Sequence, residues 1–214
     1  MAVNQPLPGF QALTFDPALC RLDLDALERL LTDNPELSER DHILPFFREH
    51  PHLSLFLGTY NSTIVTVDRL AFELPMFGQF TADIVVGDWA RKRYCFIEME
   101  DGRPNSIFAR RNRQTSEWAP RFNGGFNQLV DWLWLLETTK NTEPFERQFG
   151  KRTINATMLL VAGRDSGISA SDRLRFEWRR EHIIVNSRSI YCCTFDELLR
   201  DLRERIDNYG DTTR

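Results

Sequence analysis

Hydrophobic residues recur at helical spacing in the first part of the chain and at strand spacing after it. Residues 1–15 have no clear period and predict an irregular arm. A leucine stripe over residues 22–33 predicts an amphipathic helix with Asp23 as its N-cap. Two shorter helices should follow, one opened by Ser38 and one over residues 51–60. The start of the chain is therefore expected to be an arm followed by short helices.

The rest of the chain alternates predicted strands with predicted helices. Residues 63–74 have period two and indicate a first strand. Residues 153–162 are nearly all apolar or β-branched, which is typical of a strand covered on both faces. Residues 144–150 should connect that strand to the helix before it. The other predicted elements are helices over 126–139 (after Gly124 and Gly125), from Ser169 or Ser171 to Arg180, and over 195–208, with strands over 182–186 and 189–194. This order predicts an α/β fold on a mixed sheet.

The stretch from Phe80 to Glu100 has the pattern of a β-hairpin, but it carries three acids. A turn centred near residues 90 and 91 places Asp83 opposite residue 97 or 98, where Cβ atoms lie ~5 Å apart. Glu98 and Glu100 share one face of the second strand, because side chains alternate with period two. The hairpin therefore gathers three carboxylates in one patch.

Like charges repel, and burial of an unpaired carboxylate is costly, so a buried patch needs protonation, arginines or a cation. Oxygen ligands at this spacing suit Mg²⁺ or Mn²⁺. The alternative is an exposed edge hairpin whose acids face water, a common protection against aggregation. Glu73 is either a fourth acid of the patch or, as we favour, a charge at a strand end.

Composition excludes some classes of protein. No run of about 18 apolar residues is present, and the N-terminus lacks the pattern of a secretory signal, so neither a membrane span nor export is expected. The four cysteines show no metal-binding or disulfide spacing, which fits the cytoplasm. The three histidines of residues 42–52 lack a fourth ligand and are expected at the surface or at helix ends.

The basic residues are mostly arginines, although the net charge is −4. Only three of the 27 basic residues are lysines, and arginine favours bidentate contacts with phosphate. Arg110, Arg111 and Arg113 lie among aromatic residues just after the acids, which suits contacts with a nucleic-acid backbone. A solvated loop and helix face is the alternative. Gln128, at the edge of a helix stripe, is either solvated or, near the acids, hydrogen-bonded to a water or a phosphate.

The ordered motifs resemble the Shedu anti-phage nuclease family (SduA-like C-terminal domain) within the PD-(D/E)xK nuclease superfamily. The motifs are ELPMFGQFTADIVVGD, YCFIEME, GGFNQLVDW, GRDSGISASDRLRFEWRREH and SIYCCTFDELL. The resemblance covers roughly residues 53–199. It implies an α/β (α+β mixed-sheet) fold with a restriction-endonuclease-like core over residues 61–210, after an N-terminal arm and short helices over residues 1–60.

The resemblance also implies a function, which we state as an expectation. Asp83 and Glu98 would hold Mg²⁺ or Mn²⁺ against the phosphate of invading DNA, and Glu100 would bind a second ion or act as a base. Gln128 matches a helix glutamine of related nucleases. The three neighbouring arginines would position the DNA backbone. The protein would work in the cytoplasm, without a membrane, as a homo-oligomer.

One departure from the superfamily pattern is clear, because Glu100 stands where its lysine is expected. Lys92, Lys140 and Lys151 are too distant in the chain pattern to replace that lysine. Three outcomes follow: Glu100 recruits a second metal ion, an arginine substitutes, or cleavage is lost and binding remains. The rival function is therefore a weak or inactive nuclease fold that binds nucleic-acid ends or a partner protein.

Overall fold

The structure of the protein, a computed structural model, describes residues 7–109 and 115–209. Its strands are β1 (Gln11–Ala12), β2 (Arg69–Met76), β3 (Phe80–Asp88), β4 (Arg93–Met99), β5 (Phe108–Ala109), β6 (Glu117–Trp118), β7 (Asn155–Val161), β8 (Ile184–Val185) and β9 (Arg188–Cys193). Its α-helices are α1 (Pro17–Asp33), α2 (Leu44–Glu49), α3 (Pro51–Phe56), α4 (Pro120–Thr139), α5 (Glu143–Phe149), α6 (Ala170–His182) and α7 (Phe195–Tyr209). A π-helical turn, Glu39–Ile43, precedes α2.

Seven strands form one mixed sheet in the order β1-β2-β3-β4-β7-β9-β8. The strands from β1 to β4 pair antiparallel, whereas β4, β7 and β9 pair parallel. Strands β5 and β6 form a separate two-stranded ribbon. The predicted α/β fold with a mixed sheet is confirmed.

The sheet is buried on both faces. On β4, Tyr94 and Phe96 join a core with aromatic residues of α4, α5 and α6. Cys95 and Ile97, which point the other way because of the strand period, join a second core with α1, α3 and α7. The short helices at the start of the chain therefore pack on the same sheet as the later elements.

The hairpin of residues 80–100 is confirmed, since β3 and β4 pair from Ile84–Ile97 to Asp88–Arg93. Strand β4 lies inside the sheet, between β3 and β7. Glu98 is 6% exposed and Glu100 is 7% exposed. The exposed edge hairpin is therefore wrong, and Glu98 and Glu100 are buried near the end of a central strand.

The first helix begins earlier than the leucine stripe indicates. It starts at Pro17, and its N-cap is Asp16, whose carboxylate accepts from the amides of residues 18 and 19. Asp23, the predicted cap, instead accepts from the Leu53 amide and contacts His50. The predicted arm also contributes a strand, because β1 pairs with β2. A local pattern missed both contacts because their partners are distant in sequence.

Three further boundaries differ from the sequence pattern. Strand β2 begins at Arg69 rather than Thr63, because the Asp88 carboxylate accepts from the amides of residues 65 and 66 and holds that segment outside the sheet. Helix α4 begins at Pro120 and contains both glycines. The predicted connection over 144–150 is mostly helix α5, which Thr142 caps.

Most later elements agree with the predictions. Strand β7 is largely buried, and α6 is capped by Ser169, whose hydroxyl accepts from the Asp172 amide. Strands β8 and β9 and helix α7 lie where the pattern placed them. All four cysteines are buried free thiols. Within the described ranges, no helix has the length and apolar character needed to cross a membrane.

Candidate functional site

Asp83 and Glu98 lie side by side on the two strands of the hairpin. They are opposed one position beyond the last paired residues, Ile84 and Ile97. The Met99 amide donates to the Asp83 carboxylate at 2.9 Å. A hydrogen bond between the two carboxyl groups lowers the pKa of Asp83 and raises the pKa of Glu98. The structure therefore brings together the first two predicted site residues.

Helix α4 covers this pair. The Gln128 amide nitrogen donates to the Glu98 carboxylate at 3.0 Å. Gly125, one turn earlier, lies against Glu100, and a Cβ built there would be 3.1 Å from the Glu100 Cγ and 2.8 Å from a Leu160 methyl. The glycine therefore lets the helix approach the strand that carries both glutamates. Gln128 therefore lies beside the acids, and its partner is the Glu98 carboxylate rather than a water or a phosphate.

Arg121, in the first turn of α4, faces three acids. Its guanidinium lies 3.4 Å from Glu100, 3.5 Å from Glu39 and 3.6 Å from Asp101. The arginine side chain is 57% exposed, whereas Glu100 and Asp101 are almost covered. Arg121 thus supplies positive charge at the solvent side of the cluster.

Glu39 reaches the cluster from the N-terminal part of the chain. Its amide donates to the Asp101 carboxylate at 2.9 Å, and Leu37 forms a backbone bridge with Gly102. The Ser38 hydroxyl caps the turn that presents Glu39. Sequence reasoning found this cap but missed Glu39, Asp101 and Arg121 as neighbours of the site. A cap reveals a turn but not the strand on which the turn packs.

Burial raises the pKa values of the clustered acids. For Glu98, burial and then the Asp83, Glu100 and Glu39 charges raise the pKa to about 10. Burial raises the pKa of Asp83 to about 6, against the Met99 amide, which lowers it. Burial and the Glu39 charge raise the pKa of Glu100 to about 7, although Arg121 lowers it. The protein alone therefore leaves a proton on Glu98 at neutral pH.

The donors of the cluster match a divalent metal ion in chemical kind. Carboxylates are the ligands that Mg²⁺ and Mn²⁺ prefer, and a cation would replace the proton that Asp83 and Glu98 now share. Within residues 7–109 and 115–209, however, no three His, Cys, Asp or Glu side chains are grouped to hold a metal ion. The pair offers two oxygen ligands of the right kind, and Glu100 is instead engaged by Arg121.

Other candidate residues lie apart from this cluster. Glu73 is inside β2, not at its end, and its side chain is mostly exposed and pairs with Arg48 at 2.6 Å. Glu73 has a positive φ of 47° and interrupts the pairing of β2 with β3 opposite Asp83. The charge of Glu73 also helps to raise the pKa of Asp83. Lys92 lies over the Trp89 ring and Lys140 pairs with Glu137, so neither replaces the missing lysine.

The histidines have separate partners. His42 and His52 each accept from a backbone amide, and His50 contacts Asp23. Arg110, Arg111 and Arg113 lie outside the described residues.

The family model described as Shedu protein SduA, C-terminal, matches residues 36–199, which is well over half of the chain. The match includes Glu39, Arg121 and every acid of the cluster. No curated protein matches the chain.

Proposed function

Since the chain belongs to the Shedu family, through its SduA C-terminal region, we propose that it is a metal-dependent nuclease of anti-phage defence that hydrolyses the phosphodiester bonds of invading DNA. Family membership supports the defence role. The acid cluster supports the chemistry, and we place the reaction there.

The observation that carries the proposal is the contact between half-buried Asp83 and buried Glu98. Two carboxyl groups in contact across adjacent strands lower the stability of the fold when both are ionised, and an apolar pair would avoid that cost. Perturbed acids that converge in this way are characteristic of functional sites. A bound divalent cation would offset the repulsion between the two carboxylates and would account for their presence here.

The roles of the residues follow from their positions. Asp83 and Glu98 would hold the ion, and Gln128 would keep the Glu98 carboxylate oriented through its 3.0 Å hydrogen bond. A bound Mg²⁺ or Mn²⁺ would supply an activated water and stabilise charge on the phosphate. Glu100, on the same strand face, would take the proton of that water or hold a second ion. Arg121 would offset the remaining negative charge.

A second function is favoured by one observation. Glu100 stands where the superfamily lysine is expected, and its carboxylate lies 3.4 Å from the Arg121 guanidinium. The cation nearest to Glu100 is therefore an arginine, which also contacts Glu39 and Asp101. A nuclease fold without an activating lysine would bind nucleic-acid ends or a partner protein without cutting. The two functions differ in whether bound DNA is cleaved.

The deciding experiment is incubation of the purified protein with linear and circular DNA in Mg²⁺, in Mn²⁺ and in chelator. The nuclease requires products in Mn²⁺ or Mg²⁺ that vanish in chelator and in the Asp83→Asn variant. Asp131→Asn removes an exposed acid from α4 and should leave cleavage unchanged. Binding of DNA without products under every condition would instead establish the binding module.

A further inference from the structure

A groove on helix α6 lies outside the acid cluster. It has a volume of about 380 Å³ and is lined by Trp118, Leu174, Arg175, Trp178, Arg179 and Ile183. That volume is within the range of ligand sites, roughly 300–1,000 Å³. The groove combines aromatic rings with guanidinium groups, and none of its six residues is used by the chemistry proposed above.

Trp178 provides a fixed flat surface in this groove. Its indole is 60% exposed and stacks on the imidazole of His182, with ring centres 4.8 Å apart and planes 7° from parallel. The His182 ring is itself held, because its Nδ1 lies 2.9 Å from the Trp178 carbonyl oxygen. The indole therefore needs little ordering before a second ring packs on it.

Arg179 provides positive charge with no acidic partner. Its guanidinium lies over the rings of Trp118, Phe122 and Phe126, at 4.6–5.2 Å. Within the described residues it makes no ion pair, and its buried Nε has no hydrogen-bond acceptor. Arg175, by contrast, pairs with Asp172. A half-buried cation without an acidic partner favours an anionic ligand.

The groove and the acid cluster are connected by helix α4. Arg179 packs on Phe122 and Phe126 and contacts the Asn123 side chain at 3.4 Å. Arg121 and Gly125, which precede those two phenylalanines directly, face the acids. Helix α4 therefore contacts the acid cluster and the groove through adjacent residues.

We propose that this groove binds an unpaired nucleotide of DNA, with the base stacked on Trp178 and the phosphate paired with Arg179. The proposal rests on the proposed function and specifies its substrate as DNA with single-stranded or frayed segments. Aromatic stacking accepts any base but requires its face, which a duplex hides. A flat platform beside an unpaired guanidinium fits a nucleotide better than it fits an apolar protein surface.

The test measures binding in chelator, so that it is independent of cleavage. Fluorescence anisotropy should compare an oligothymidine strand, an abasic strand of equal length and a blunt duplex. Trp178→Ala should weaken oligothymidine binding roughly five- to a hundredfold and leave abasic and duplex binding nearly unchanged. Trp178→Phe should restore most of the loss. Trp134→Ala, which removes a tryptophan of α4 that is 55% exposed, is the matched control and should have no effect.

Arg179→Ala separates the two parts of the site, because it should weaken the oligothymidine and abasic strands together. Equal losses for both strands in Trp178→Ala, or no loss at all, would overturn the proposal. A Trp178→Ala variant that changes its oligomeric state but not its DNA binding would also overturn the proposal, because the groove would then be a protein contact. A protein that binds unpaired bases through Trp178 but never cuts DNA would keep this inference and refute the nuclease.

Discussion

Asp83 and Glu98 are opposed across strands β3 and β4 and share a hydrogen bond, although burial disfavours charge on either. We predict that a divalent ion replaces the shared proton. A metal bound only by the folded state raises stability, by about 2.7 kcal/mol at a hundredfold excess over Kd. Thermal melts with Mn²⁺ should therefore rise for the wild type and stay level for the Asp83→Asn, Glu98→Gln double variant. Equal shifts would place the ion elsewhere.

The pKa of Glu98 predicts a pH-dependent stability in chelator. Its folded-state pKa is raised from 4.5 to about 10, so the stabilisation present below pH 4.5 is lost progressively as pH rises towards 10. Glu98→Gln keeps both hydrogen-bonding positions and has no proton to lose. It should stabilise the protein at pH 8 by about 1–3 kcal/mol and by little at pH 4.5.

Urea denaturation at both pH values measures this difference. The control is Glu143→Gln, an exposed acid on α5 that pairs with Arg147. A gain for Glu98→Gln that is the same at both pH values would show that the proton has no part in it.

Glu100→Lys tests the departure from the PD-(D/E)xK pattern that the sequence resembles. If Glu100 holds an ion or acts as a base, the change should lower cleavage in Mn²⁺ by roughly a hundredfold or more. The new ammonium would also lie beside the Arg121 guanidinium, which is 3.4 Å from the present carboxylate. Glu100→Gln, which has the same shape, should lose activity without that repulsion. An inactive wild type beside an active lysine variant would favour the binding module.

The two adjacent glycines of α4 should respond oppositely to alanine. A Cβ on Gly124 has no neighbour closer than 3.9 Å, so Gly124→Ala should stabilise the helix by about 0.5–1 kcal/mol. A Cβ on Gly125 would press on Leu160 and Glu100, so Gly125→Ala should destabilise by about 1–3 kcal/mol. Chemical denaturation distinguishes them. Destabilisation by both would mean that the helix tolerates neither side chain.

The arginines of residues 110–113 predict the response of DNA binding to salt. Replacing Arg110, Arg111 and Arg113 by alanine should weaken binding to all sequences alike. It should also reduce the slope of log K against log salt by roughly 0.9 for each lost phosphate contact. Filter binding from 50 to 200 mM salt measures both. An unchanged slope would show that these arginines do not contact phosphates and belong to a solvated surface.

Local patterns predicted much of the sheet and half of the site. Period two and the turn fixed the register that opposes Asp83 and Glu98, because a hairpin is set by neighbouring residues. Glu39 and Arg121 were missed because their contacts depend on packing between distant segments. The paired glycines also misled the prediction for α4, since close packing against β4 and β7 outweighs their low helix propensity.

The bridge between Leu37 and Gly102 implies an order of events during folding. Glu39 and Asp101 are 62 positions apart, so their contact closes a long loop, whereas β3 and β4 meet through a short turn. Long loops lose more entropy on closure and form their contacts more slowly. In pulsed hydrogen exchange during refolding, the Met99 amide, which donates to Asp83, should therefore become protected before the Glu39 amide, which donates to Asp101. The acids of the hairpin assemble first, and the N-terminal glutamate joins them last.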